Sequence, residues 1–196
     1  VGHNAGLSVS TGIKNTLIGG QAGDALTTGS YNVAVGSEAL STEDGHGANV
    51  AIGYRSLKAL NAGAEGYNVA IGYEAGKSIT TGINNTLIGG LAGDAINTGS
   101  QNVAVGKASL SSATTASDNV GLGHGALSAL TTSARNVAIG TQALNGAMNT
   151  NSNTYNVAVG YQAGTAVTTG TNNTIVGGLA ADSLTTGQHN VALGYN

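Results

Sequence analysis

No cysteine, proline, tryptophan or phenylalanine occurs among the 196 residues of this chain, and methionine occurs once. Without thiols there is no disulfide framework, no CxxC redox centre and no thiolate metal site. Charge is scarce too: Asp, Glu, Lys and Arg make up 8% of the chain, against about 25% in an ordinary soluble domain. Six Lys and Arg stand against nine Asp and Glu, a net charge of −3. That leaves no clustered basic footprint, and nucleic acid is excluded as a partner. No apolar run approaches the roughly 20 residues of a membrane helix, so this segment is expected not to insert into a membrane. No secretory leader is visible, and the chain opens on Val1 rather than Met.

What is present in excess is glycine, 33 residues of it, together with Ala, Thr and Asn. Low charge with so much Gly and Asn suggests disorder, but a strict internal repeat argues against it. The pattern Asn-[Val/Thr]-x-[Ile/Val/Leu]-Gly opens at Asn15, Asn32, Asn49, Asn68, Asn85, Asn102, Asn119, Asn136, Asn156, Asn173 and Asn190. Successive anchors lie 17 residues apart except before Asn68 and Asn156, where two and three residues are inserted. Residues 1–14 fit the same frame as a truncated twelfth unit. A longer block, Gly76–Asp94, is echoed at Gly6–Asp24 and Gly164–Asp182, which indicates duplication of multi-coil pieces.

Counting the anchor Asn as position 0, position 1 is Val or Thr and position 3 is Ile, Val or Leu. That alternation reads as a short β-strand. Position 4 is always Gly, which can end the strand in a backbone state other residues resist. Position 7 is Ala or Ser, positions 8 and 11 are mostly apolar or Gly, and a Thr-Thr-Gly-like turn closes the unit. Seventeen residues are too few for a helical-pair repeat, and no 3.6-residue apolar period appears. The reading is all-β: a parallel β-solenoid of about twelve 17-residue coils, each stacked about 4.8 Å above the last, forming one continuous domain over 1–196. The anchor asparagines should form a ladder of side-chain amides.

Position 2 faces away from positions 1 and 3, yet it is never polar: seven of its residues are Ala, with Leu17, Leu87, Ile175 and Gly121 as the others. A strand apolar on both faces is buried on both. Positions 1 and 3, including Ile71 and Val159 beside the insertions, are therefore expected to fill the coil's core. The position-2 stripe, Ala104 included, is expected to meet another chain. The mixed columns at position 5 and just before the anchor should face solvent. They hold Tyr31, Tyr54, Tyr67, Tyr73, Tyr155 and Tyr161, the candidate contact residues for a receptor or glycan.

Catalytic and metal chemistry find little footing. His3, His46, His124 and His189 stand in no HxH or HExxH spacing. The Gly19–Asp24, Gly89–Asp94 and Gly177–Asp182 segments miss the GGxGxDxUx spacing of Ca²⁺-binding nonapeptides, so Asp24, Asp94 and Asp182 are expected to bond turn amides. Gly-rich turns lack the Lys-Ser/Thr of a phosphate loop. Glu43 and Asp44 read as a solvated turn. The expectation is a protein without catalytic residues, cofactor or metal.

At Asn49–Gly53, Asn68–Gly72 and Asn136–Gly140, the Asn-Val-Ala-Ile-Gly motif resembles the head repeat of trimeric autotransporter adhesins and the repeat region of bacteriophage tail fibres. The resemblance implies a β-roll assembled as a homotrimer, located outside the cell, on its surface or on a virion. This chain departs from it in lacking a Ser after the Asn and in its 17-residue period. The expected function is a structural, surface-exposed fibre segment, part of a longer fibre, that touches a receptor or glycan through exposed columns. One alternative is ice binding through the column Thr11, Thr28, Thr81, Thr98, Thr115, Thr132, Thr169 and Thr186. Another is a subunit that stacks end to end into an extracellular filament.

Overall fold

A computed structural model describes residues 1–196. It contains eleven three-residue strands and no helix. They are β1 (Thr16–Ile18), β2 (Val33–Val35), β3 (Val50–Ile52), β4 (Val69–Ile71), β5 (Thr86–Ile88), β6 (Val103–Val105), β7 (Val120–Leu122), β8 (Val137–Ile139), β9 (Val157–Val159), β10 (Thr174–Val176) and β11 (Val191–Leu193). Each strand pairs in parallel with the next in sequence, giving one sheet in the order β1 to β11. The chain is a β-solenoid, with the remaining residues of each coil returning through turns. Residues of the truncated first unit stack on the coil of β1 through backbone bonds such as Gly19 N–H to Val1 O and Gly6 N–H to Ala22 O.

Register follows the repeat even across the insertions. Ile71 pairs with Ile52 on one side and Ile88 on the other, and Val159 with Ile139 and Val176. The extra residues lie in the turns, because loops absorb length at small entropic cost whereas a one-residue slip reverses every side chain in a strand.

The faces are the reverse of the sequence expectation. Position 2 is the interior: Ala34, Ala51, Ala70, Leu87, Ala104, Ala138, Ala158 and Ile175 are fully buried within the single chain. Positions 1 and 3 point outward and are half-buried or exposed, Ile71 and Val159 among them. The reason lies in the opposite wall. Leu40, Leu57, Leu110, Leu127 and Leu144 at position 8 adopt φ of 47° to 55°, which turns their side chains into the coil, where all five are fully buried. The thin coil then has room for little more than a methyl group at position 2.

Where position 2 is large, position 8 gives way. Leu17 lies between Gly6 and Gly23, and Leu87 between Gly76 and Gly93; a Cβ on any of these glycines would sit 2.7–2.8 Å from the leucine methyls. Ile175 lies against Gly164 in the same manner. The repeated Gly6–Asp24, Gly76–Asp94 and Gly164–Asp182 blocks are therefore packing units: each carries one large side chain at position 2 with the small residues that admit it.

At position 4, close approach demands glycine. Gly106 has φ +128°, and a Cβ there would lie 2.6 Å from the carbonyl oxygen of Gly123 on the next coil. The clash is backbone on backbone, so no rotamer relieves it.

Candidate functional site

Along one interior edge runs the Asn column. Asn102 Oδ1 accepts from the backbone N–H of Asn119 (3.1 Å) and from its Nδ2 (3.3 Å). Asn102 Nδ2 in turn donates to Asn85 Oδ1 (3.1 Å) and to the Ala116 carbonyl (2.8 Å). Equivalent bonds link Asn32 to Asn49, Asn49 to Asn68, Asn68 to Asn85, Asn119 to Asn136, Asn156 to Asn173 and Asn173 to Asn190. At the second insertion Asn136 Oδ1 takes the Asn156 N–H and the Thr154 hydroxyl instead. At the first coil, Asn15 Oδ1 accepts only the Asn32 N–H, and its Nδ2 donates to Gly29 O. A side-chain amide offers an acceptor and two donor hydrogens in fixed geometry, so away from the first coil and the second insertion the column repeats the same bonds from coil to coil. From Asn32 to Asn173 the asparagines are fully buried, which suits structural rather than recognition chemistry.

The outward face is different in kind. Positions 1 and 3 of all eleven strands carry only Val, Ile, Leu and Thr. This makes an uncharged ladder about 48 Å long at about 4.8 Å per rung. Ile18, Ile88, Ile139, Val176 and Leu193 are among its exposed members.

Two columns bracket this ladder, one before the anchor and one at position 5. Tyr31, Tyr67 and Tyr155 lie in the first, and Tyr54, Tyr73, Tyr161 and Tyr195 in the second; all seven rings are exposed. The first column has a backbone signature that no residue type announces. All eleven residues, from Lys14 to His189, adopt φ between 47° and 64° without a glycine among them. The coil returns to the strand through this left-handed corner. Tyr31 and Tyr67 are separated by Ala48 and do not meet. Tyr31 instead takes Lys14 (Nζ 4.9 Å from the ring centroid), and Tyr155 accepts a 2.7 Å bond from Arg135, which also faces Asp118 at 3.6 Å. At position 5, Tyr54 and Tyr73 stack with centroids 5.5 Å apart, and the Arg55 guanidinium lies 4.8 Å from the Tyr54 centroid.

Beside that stack the scarce charges gather. Glu38 is bonded by Lys58 and Arg55, and Lys58 followed by Arg55 holds its carboxyl below the usual range. Arg55 reaches Glu74 at 4.0 Å, and Lys77 bonds Glu74 at 2.7 Å and faces Asp94 at 3.7 Å. Lys77 lowers the Glu74 carboxyl, whereas burial pushes that of Asp94 up against the pull of Lys77. The expectation that Asp24, Asp94 and Asp182 bond turn amides is not met: Oδ1 of Asp24 and of Asp94 is buried without a hydrogen-bond partner, and Asp182 Oδ1 accepts the Ser183 hydroxyl (3.1 Å).

The turn read as solvated is also corrected. Glu43 is fully buried at position 11, where other coils place Leu26, Leu60, Ile79 or Ile96. Its Oε1 accepts from His46 N–H (3.0 Å) and its Oε2 from Ala62 N–H (3.2 Å) in the adjacent inserted turn, while Glu65 accepts from Gly47 N–H (3.1 Å). A buried carboxylate is tolerable only when its lone pairs are used. The fold also brings Glu43, Asp44 and His46 together, with one ligand-type atom of each inside a 4.8 Å span. The sequence reading overlooked this Glu-x-x-His pairing. With both Glu43 oxygens engaged by amides, the group ties the first insertion to its neighbour.

No protein-family model, curated protein or solved structure matches this chain. The chain is a β-solenoid repeat protein.

Proposed function

We propose that this chain is a rod segment of a surface-exposed fibre, outside the cell or on a virion, that associates with further copies of itself through the outward strand face. One observation carries the reading: the face made by positions 1 and 3 is uncharged on every rung and apolar throughout except for Thr at position 1 of β1, β5 and β10. At about 48 Å by about 10 Å it amounts to roughly 480 Å², the size of the largest apolar patch on a typical monomer, which is often functional. Two such faces would bury close to 1,000 Å² together, about the lower bound for a specific interface. Identical rungs make the ladder self-complementary, so copies mesh coil for coil under closed rotational symmetry. The resemblance to adhesin heads and tail fibres favours three chains. The bracketing tyrosines suit the rim of such an assembly and contact with a receptor or glycan. The Thr column supports ice binding less well, because Gly45, Ala62 and the second insertion interrupt it.

Sedimentation of the wild-type chain beside Ile139→Glu and Gln101→Glu tests this. Wild type and Gln101→Glu should run as one oligomer. Ile139→Glu, which alters only an outward side chain, should run as a folded monomer by circular dichroism. A wild-type chain that stays monomeric at high concentration refutes self-association.

A further inference from the structure

Position 5 continues the column of the stacked tyrosines down the rod: Ser37, Tyr54, Tyr73, Gly90, Lys107, His124. Tyr73 and Gly90 are one coil apart, as Leu91 N–H bonds Tyr73 O, and Lys107 is one coil further, as Ala108 N–H bonds Gly90 O. Arg55 lies over the Tyr54 ring, and Tyr54 covers one face of Tyr73. The other face of Tyr73 looks along the column to Gly90, where an added Cβ would meet nothing within 4 Å. A ring in contact with Tyr73 at about 3.5–4.0 Å would therefore lie over the Gly90 rung, since rungs are about 4.8 Å apart.

Beyond that rung stands Lys107, exposed and outside every ion pair and cation–π contact. Each of the other five Lys and Arg residues faces a carboxylate or a tyrosine: Lys14, Arg55, Lys58, Lys77 and Arg135. The same column offers a contrast at Gly178, between Tyr161 and Tyr195. There the Tyr195 ring already leans over the glycine, with Cδ2 3.6 Å from where a Cβ would be. Gly20 has no aromatic ring on the next rung, only Ser37. Among these glycines, only the Gly90 rung joins an open ring face to an unpaired ammonium.

We infer that the Tyr73–Gly90–Lys107 rungs form a subsite for one pyranose unit of an acidic glycan. The sugar's C–H face would rest on Tyr73, whose ring face is electronegative. Its carboxylate or sulfate would meet the Lys107 ammonium, and its remaining hydroxyls would stay in water on the open side. This names the ligand class for the surface contact in the fibre reading and rests on that contact role.

Calorimetric titration of the full chain with a galacturonate oligomer, a dextran sulfate oligomer and neutral dextran tests the site. At least one acidic probe should bind and dextran should not; which acidic probe binds identifies the charged group. Gly90→Tyr extends the stack over the rung and should weaken binding about ten-fold or more, the upper range of a single aromatic contact. Lys107→Gln should weaken it several-fold and flatten its salt dependence. Gly20→Tyr, in the same column on a distant coil, should change nothing. The proposal fails if dextran binds equally well, if neither acidic probe binds, or if binding survives both Gly90→Tyr and Lys107→Gln. Sedimentation separates the two readings: a monomer that still binds through this rung refutes the fibre assembly alone.

Discussion

The exchange of volume between positions 2 and 8 can be tested with two substitutions. Leu87 is fully buried, with Gly76 and Gly93 on either side. Leu87→Ala removes three carbons, a transfer loss of about 2.4 kcal/mol at about 0.8 kcal/mol each. The cavity raises the total to about 3–4 kcal/mol. Gly93→Leu alone is also unfavourable, because its Cβ would come within 2.8 Å of the Leu87 and Ile96 methyls; overpacking of this kind costs about 1–3 kcal/mol. The backbone does not forbid it, since Leu110 occupies the same column at φ 54° beside Ala104, while Gly93 has φ 56°. Combined, Leu87→Ala and Gly93→Leu recreate the arrangement of β2 and β3, where Ala34 and Ala51 meet Leu40 and Leu57. The double variant should therefore lie within about 1.5 kcal/mol of wild type, the range of a volume-conserving exchange. The singles would sum to about 4–7 kcal/mol. Urea denaturation of all four proteins gives the coupling energy. An additive double variant would show that the two positions do not share one packing space, and the account of the repeated blocks would fall.

The remaining expectations concern polar groups. Asn102→Ala should cost about 3–5 kcal/mol, because it leaves the Asn119 N–H and the Ala116 carbonyl buried without partners; Asn15→Ala, in the half-exposed first coil, should cost much less, and equal losses in urea would contradict the ladder's role. Asp94→Asn should raise the melting temperature at neutral pH. Burial lifts the folded-state pKa of Asp94 above its ordinary value, so its protonated form is favoured in the fold, and stability is lost as pH rises through that pKa. The gain should shrink as pH falls below the ordinary carboxylate range, and a gain independent of pH would refute it. Glu38 and Glu74, held low by Lys58 and Lys77, have the opposite sign: their contribution is present at neutral pH and fades as pH falls from about 4.5 toward their lowered pKa values.

The 17-residue period was enough to specify parallel stacking. When one unit equals one coil, equal residues must fall on the same column, and an insertion can be absorbed only between strands. The Asn column followed for the same reason: one amide per coil at constant height can bond only its own kind and the adjacent turn. Exposure of the tyrosines could be read from the mixed composition of their columns. The sequence could not say which way each strand faced. In eight of the eleven strands positions 1, 2 and 3 are all apolar, so hydrophobic parity, the usual guide to burial, carried no information there; only β1, β5 and β10, with Thr at position 1 beside Leu or Ile at position 2, marked the inner column. The outcome was decided across the coil, by leucines whose positive φ turns them inward and leaves space for only a methyl group opposite. The left-handed corner before each anchor was hidden as well, because Tyr, Lys, Gln and Arg occupy it where glycine would have marked it. Glu43 looked like a solvated acid until the fold placed the amides of His46 and Ala62 against its two oxygens. Contacts one coil apart in space are 17 to 20 residues apart in sequence, so local residue preferences cannot anticipate them.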